Sequence, residues 1–476
     1  MTKIKNSTAV LFFILIVSAC GKAQQPNVLL IIADDLGYND LGCYGVKDFE
    51  TPNIDRIAAR GIRFTDGYVT APQCGPSRAG LITGLSQARF GVMDNHQDNG
   101  LPSSEVVKIL PEQMKEQGYV TGMVGKWHIG FHDIQKDRSK SHTRKGNAPW
   151  ERGFDYAFKI FAGSSQYFPY ATPDFRSKIG WIKHLQEKKE GSAEAVYLSD
   201  LPKDTYTTDI FTDRGIDFVK RHKKEPWFLY LSYTAPHGPM QPKPEKLKKY
   251  KHIKNGVRRK FVAMMESLDE GIGRMLNTLE ETGQLENTVV WFLSDNGGVA
   301  VNSKNWNGSR CDPFSGAKGD VYEGGIRVPF MVSWPGKLPE GKVVSDPITS
   351  LDLLPTCLAV AGKEKVADIH EGRNLLPWLS GDVSYPSKDL FWSWRGDYHA
   401  VRMDNLKEIR NGRPTMAVDG TELPKHNFVD LKVNPTELAG EHALQNKKKE
   451  KKLAKRLDSW LDDLKKDAKK LTPSEK

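Results

Sequence analysis

Four apolar runs of strand length, each closing on polar residues, constrain this chain more than any other feature. Asn27–Ala33 runs into Asp34 and Asp35, and Tyr119–Val124 into Gly125, Lys126, Trp127 and His128. Pro226–Tyr233 leads to Pro236, His237 and Gly238, and Asn287–Ser294 to Asp295, Asn296, Gly297 and Gly298. Continuous β-branched runs without alternation are the pattern of strands covered on both faces, as in parallel sheets between helices. Helical stretches fall between them. Thr51–Gly61 has Pro52 after its cap, Leu110–Gln117 is closed by Gly118, and Thr208–Arg221 follows. Arg258–Thr282 carries Phe261, Met264, Leu268, Ile272, Met275 and Leu279 on one stripe and stops at Gly283. The pattern predicts an α/β fold, a large mostly parallel sheet sandwiched by helices. Ligands of open α/β sheets gather at the carboxyl ends of the strands, so the polar residues at the four ends are expected to converge.

The glycine-rich stretch 316–330 carries Lys318 toward the same region, followed by a strand at Phe330–Trp334, a helix at Ser350–Ala361 and a connector at Glu371–Gly381. The pattern loosens over Val366–Lys388, which divides a larger domain, 24–380, from a smaller subdomain, 381–476. That subdomain is expected to be an antiparallel sheet plus a helix. Its strands are Leu390–Trp394, Ala400–Met403 and Phe428–Leu431, and its amphipathic helix uses Leu453, Leu457, Trp460, Leu461 and Leu464. Phe131–Trp150, with Lys136, Arg138, Lys140, His142, Arg144 and Lys145, reads as a basic surface loop. Asp155–Asp200 shows no clear period.

A net charge of +10 favours anionic partners. Much of the excess lies in Lys447–Arg456, which reads as a solvated helix face. Residues 1–23 read as an export signal, with Lys3 and Lys5 ahead of the apolar run Ala9–Val17. Val17-Ser18-Ala19-Cys20 resembles a bacterial lipobox, in which Cys20 would carry a lipid anchor, while Gly21-Lys22-Ala23 offers a plain cleavage site. The expectation is an exported bacterial protein, periplasmic or tethered to the outer membrane or cell surface as a lipoprotein. Cys43, Cys311 and Cys357 leave two alternatives, one disulfide or three free thiols.

Cys74 opens a helix with Pro76 in its first turn and Arg78 one turn on. By residue type this is either a buried structural cysteine or a thiolate of lowered pKa. Asp34, Asp35, Asp295 and Asn296 are hard oxygen ligands, suited to Ca²⁺ or Mg²⁺ rather than a soft metal.

Cys74-Gly75-Pro76-Ser77-Arg78, followed by Ala79-Gly80-Leu81-Ile82-Thr83-Gly84, resembles the signature of the formylglycine-dependent (type I) sulfatases of the alkaline-phosphatase-like superfamily. The similarity runs from Pro26 to Gly381 through motifs in the family's order, and loosely into Phe428–Glu437. It implies that Cys74 is oxidised to formylglycine by a formylglycine-generating or anaerobic sulfatase-maturing enzyme. It also implies one divalent cation, usually calcium, held by Asp34, Asp35, Asp295 and Asn296 and contacting position 74. Arg78 and Lys126 would hold the nucleophile, His128 would assist release of the covalent sulfate, and His237 and Lys318 would contact the sulfate and protonate the leaving oxygen.

Basic balance, export, and Trp306 and Trp394 beside cationic residues fit a sulfated polysaccharide or oligosaccharide, carrageenan-like or glycosaminoglycan-like, rather than nucleic acid. Two other classes compete. A phosphatase or phosphodiesterase of the superfamily would use a Ser or Thr nucleophile and two metals with His ligands, which these motifs do not provide. A non-catalytic glycan-binding surface protein would leave Cys74 unconverted.

Overall fold

The computed structural model describes residues 25–95, 99–132, 142–160, 163–170, 185–198, 201–301, 303–304, 306–417, 419–438 and 446–472. The export signal, Cys20, Lys136, Arg138 and Lys140 lie outside the described residues.

Ten strands form the main sheet. Their spatial order is Lys342–Val344, Gly61–Phe64, Phe330–Ser333, Thr288–Ser294, Asn27–Ala33, Trp227–Ser232, Val120–Lys126, Tyr156–Ile160, Gln186–Lys188, Val196–Tyr197. The four apolar runs are its centre. They lie side by side and parallel, with Ala33 opposite Ser294, Ile32 opposite Ser232, and Ser232 opposite Gly125. Their shared direction brings all four carboxyl ends to one edge. Antiparallel pairing is confined to the flanks, where Phe330–Ser333 joins Thr288–Ser294 and Gln186–Lys188 joins Tyr156–Ile160.

Every residue of Asn27–Ala33 is buried, and alternate side chains serve opposite faces. Leu29 and Ile31 join a core with helices Thr207–Arg221 and Gly256–Glu281, whereas Val28, Leu30 and Ile32 join one with helices Cys74–Thr83, Leu110–Glu116 and Leu353–Val360. Gly256–Glu281 begins two residues earlier than its stripe suggested because Asn255 caps it, accepting from the N–H groups of Val257 and Arg258. Burial of each Leu, Met or Phe along that stripe contributes about 1.5–3 kcal/mol.

The C-terminal unit is a four-stranded antiparallel sheet of Leu390–Trp394, Tyr398–Met403, Leu406–Arg410 and Asn427–Asp430, covered by helix Lys447–Leu471. Ala400 faces Val321, Tyr322 and Ile326 of the glycine-rich stretch, and Val401 faces Leu453, Leu457, Trp460 and Leu464 of the helix. Leu406–Arg410 was not expected as a strand, because Lys407 and Glu408 interrupt its apolar pattern. Lys407 is fully buried between Glu323 and Glu437, 2.8 Å from a carboxylate oxygen of each.

The loosened composition before this sheet is no gap in packing, since Leu375 and Leu379 are buried in the core of the main sheet. Cys43, Cys311 and Cys357 are free thiols. Of the basic loop, the described ends pair as two short antiparallel strands, Phe131–His132 and His142–Thr143.

Candidate active site

Cys74 is the first residue of helix Cys74–Thr83, which is buried along its whole length. Gln73 supplies no side-chain cap. Asn95 takes up part of that function, accepting from the Gly75 N–H at 3.0 Å while its Nδ2 donates to the Cys74 sulfur at 3.3 Å. Sequence reasoning missed Asn95, because it lies in a loop away from every strand end. Burial pushes the Cys74 thiol up, and the ammonium groups of Lys126 and Lys318 outweigh that effect to leave it below its usual value.

The strand ends supply the rest. Asp34 Oδ2 accepts from Lys126 Nζ at 2.6 Å. Asp35 Oδ1 is 2.6 Å from Lys318 Nζ and accepts from Asn296 Nδ2 at 2.8 Å. Asp295 Oδ2 accepts from Arg78 Nε at 2.8 Å, with Arg78 Nη2 at 2.7 Å. Arg78 also donates through Nη1 to the Lys126 carbonyl at 2.8 Å and to Ser232 Oγ. Arg78 and Lys126, expected to hold the nucleophile, also hold the carboxylates around it, and Lys126 acts on Cys74 through its charge.

Asp35 and His128 sit in the left-handed region, at φ 62° and 54°. Asp and His enter this region more readily than most non-glycine residues, and here it turns the chain sharply as each strand ends. Gly297 is required for a different reason. A Cβ there would lie 1.8 Å from the Gly324 carbonyl oxygen, so the chain after Asn296 can pass the glycine-rich stretch only without a side chain.

The residues present fit a hard cation. Asp34 Oδ1 and Asn296 Oδ1 are buried without a hydrogen-bond partner, a costly condition for two oxygens at adjoining strand ends. Ligand atoms of Asp34, Cys74 and Asp295 lie within 4.8 Å of one another, as do those of Asp34, Asp35 and His237. Burial raises the Asp34 carboxyl well above its ordinary value, Lys126 opposes this, and the charges of Asp295 and Asp35 add to it. A bound cation would satisfy both orphaned oxygens and relieve that repulsion.

His128 and His237 flank this group. Burial holds the His128 imidazole well below its ordinary range, with the charges of Lys126 and Arg78 adding to the effect, and its Nδ1 has no partner. His237 is pushed down to about 4 by burial and by Lys318, with Asp35 opposing. Its Nδ1–H donates to the Gly238 carbonyl at 2.6 Å, and Nε2 lies 3.5 Å from Asp35 Oδ2. Lys318 is the reverse case, its ion pair with Asp35 outweighing burial and raising its pKa. Asp35, His237 and Lys318 line a cleft of about 1160 Å³, and Trp306, Trp394, Arg395 and Arg413 line it as well.

A family model described as Sulfatase matches residues 26–363. The chain belongs to the sulfatase family. A second model, N-sulphoglucosamine sulphohydrolase, C-terminal, matches residues 317–467 of this sulfatase. It is 33% identical to the N-acetylgalactosamine-6-sulfatase of Homo sapiens over 87% of this chain and 79% of the human protein. It is 30% identical to the steryl-sulfatase of Rattus norvegicus over 78% of this chain and 73% of that one. Among solved structures it resembles Ps i-CgsB in complex with k-i-k-neocarrahexaose, with a TM-score of 0.77 and 31% identity over 92% of this chain and 93% of the other. As a sulfuric ester hydrolase, the sulfatase cleaves sulfate esters.

Proposed function

We propose that this sulfatase removes sulfate from a sulfated galactose-type polysaccharide or oligosaccharide, using a formylglycine formed at Cys74 and a calcium or magnesium ion. The observation that carries the reading is the wide cleft, lined by cationic and indole side chains, whose wall includes Asp35, His237 and Lys318 of the site and Gln73, the residue before Cys74. At about 1160 Å³ it exceeds the ~300–1,000 Å³ usual for small-molecule sites. Relatives named for N-acetylgalactosamine 6-sulfate and for a carrageenan oligosaccharide support the galactose-type assignment.

When bound, the cation supplies charge that offsets the sulfate and favours the ionised nucleophile. One hydroxyl of the hydrated formylglycine attacks sulfur, and the bond from sulfur to the sugar oxygen breaks. Lys318 holds positive charge beside Asp35 and is the group that carries a proton through the neutral range. Removal of the proton from the second hydroxyl re-forms the aldehyde and expels sulfate. His128, neutral because burial and nearby cations disfavour its charged form, is the base for that step.

Mass spectrometry of the exported protein is expected to show the Cys74 sulfur and two hydrogens replaced by one oxygen. A panel of defined sulfated oligosaccharides is expected to show turnover on galactose-type members that chelation abolishes and calcium restores. An active preparation with an unmodified thiol, or activity on aryl sulfates and on no glycan, would overturn the reading.

A further inference from the structure

The residue after Lys318 is a glycine because its backbone is left-handed, and two side chains lie where a Cβ would point. Gly319 has φ 88°, and a Cβ there would lie 2.8 Å from Arg413 Nη1 and 3.4 Å from Trp394 Cη2. Its N–H donates to the Pro72 carbonyl at 2.7 Å, which ties it to the segment leading into Cys74. Arg413 and Trp394 belong to the C-terminal sheet and its connections, yet both line the cleft that holds Lys318. A guanidinium from one unit thus stands one residue along the chain from a lysine at the nucleophile of the other.

The surroundings leave that guanidinium available. Arg413 is exposed, and among the described residues no carboxylate lies within ion-pairing distance of it. Asp320, whose charge it feels, is buried, and its Oδ2 accepts from the Ala317 N–H at 3.0 Å and from Thr415 Oγ1 at 3.1 Å. The second Asp320 oxygen has no partner, and burial pushes this carboxyl up to about 7 against the opposing charge of Arg413, so Asp320 is a weak competitor for the guanidinium. Arg395 differs. Its guanidinium lies 4.6 Å from the Trp394 ring centroid and is committed to Asp94 at 2.9 Å.

We infer that Arg413, set between Gly319 and the Trp394 edge, is a specificity-determining residue that binds a second anionic substituent, sulfate or carboxylate, on the glycan whose sulfate ester is cleaved at Cys74. The inference rests on the glycan reading above. A planar fork of donors matches both oxyanions bidentately, which a lysine cannot do. A guanidinium is more weakly hydrated than an ammonium, which lowers what the contact costs in lost hydration.

The test compares kcat/KM of the matured enzyme on three oligosaccharides, one singly sulfated, one disulfated, and one with a single sulfate and a uronate carboxylate. Arg413→Ala is expected to lose about tenfold or more on a doubly anionic substrate relative to its loss on the singly sulfated one. Arg413→Lys is expected to recover part of that difference. Loss confined to the disulfated substrate assigns the site to sulfate, and loss confined to the uronate assigns it to carboxylate. Equal losses on all three overturn the inference and leave the glycan reading standing, whereas a wild-type enzyme that cleaves an aryl sulfate and none of the three overturns both.

Discussion

His237 and Lys318 face Asp35 from two sides, and they differ in where their protons are. His237 gives its Nδ1–H to a carbonyl and is pushed down to about 4, so above that pH it is neutral. Lys318 is raised and remains charged. A sugar hydroxyl needs a proton to leave, whereas an activated phenol leaves as its anion, and general acid catalysis is worth about 10²- to 10⁴-fold. Lys318→Ala is therefore expected to lose more kcat on a glycan sulfate than on an activated aryl sulfate, and His237→Ala to lose about equally on both. The reverse ranking would make His237 the acid. The site residues named from strand ends and the Cys74 motif were legible because a parallel sheet converts sequence-distant ends into neighbours. Asn95 was not, since nothing in a loop's composition says which strand end it will fold against.

At the scale of elements, the Leu406–Arg410 strand was illegible for an electrostatic reason. Its buried lysine reads as surface until the carboxylates that neutralise it are placed, and they come from Glu323 and Glu437. Burial would raise Glu323, but Lys407 and Arg327 overcome it and hold that carboxyl at about 2. For Glu437, burial outweighs Lys407, and the nearby Glu323 adds to the rise, so this carboxyl is pushed up to about 7. A raised carboxyl keeps its proton more firmly in the folded chain. Its contribution to stability is whole below the ordinary glutamate value of 4.5 and is lost as pH rises through about 7. The contribution of Glu323, which is depressed, is present above 4.5 and is lost only as pH falls toward about 2. Glu437→Gln is expected to flatten the fall in stability between pH 5 and pH 8, read by urea unfolding at both. Lys407→Met, which leaves two buried carboxylates with one partner fewer, is expected to cost about 3–5 kcal/mol at neutral pH. An unaltered pH slope in Glu437→Gln would place the titrating proton elsewhere.

Across the whole molecule, the sheet interior and the closing helix follow from apolar periodicity. The cleft does not, because it is built from two units whose contact no local pattern records. Trp394 and Arg413 come beside Gly319, the residue after Lys318, only once the C-terminal sheet has docked on Val321, Tyr322 and Ile326. With a net charge of +10, polymer turnover is expected to weaken with added salt more than turnover of a small sulfate ester, since exposed charges are screened beyond about 8 Å at physiological ionic strength. Equal salt sensitivity in steady-state assays would remove long-range attraction from the account of substrate capture.

The burial of helix Cys74–Thr83 also sets an order of events. Cys74 is 1% exposed, and every residue of its helix is covered. On the reading that Cys74 is converted to formylglycine, the enzyme that oxidises it would need this segment as free chain, a form that ends when the central strands pair. Conversion would then be a race between a catalyst and a folding chain. Molecules that folded first would keep their thiol, and a producing cell short of the catalyst would accumulate well-folded protein with no activity.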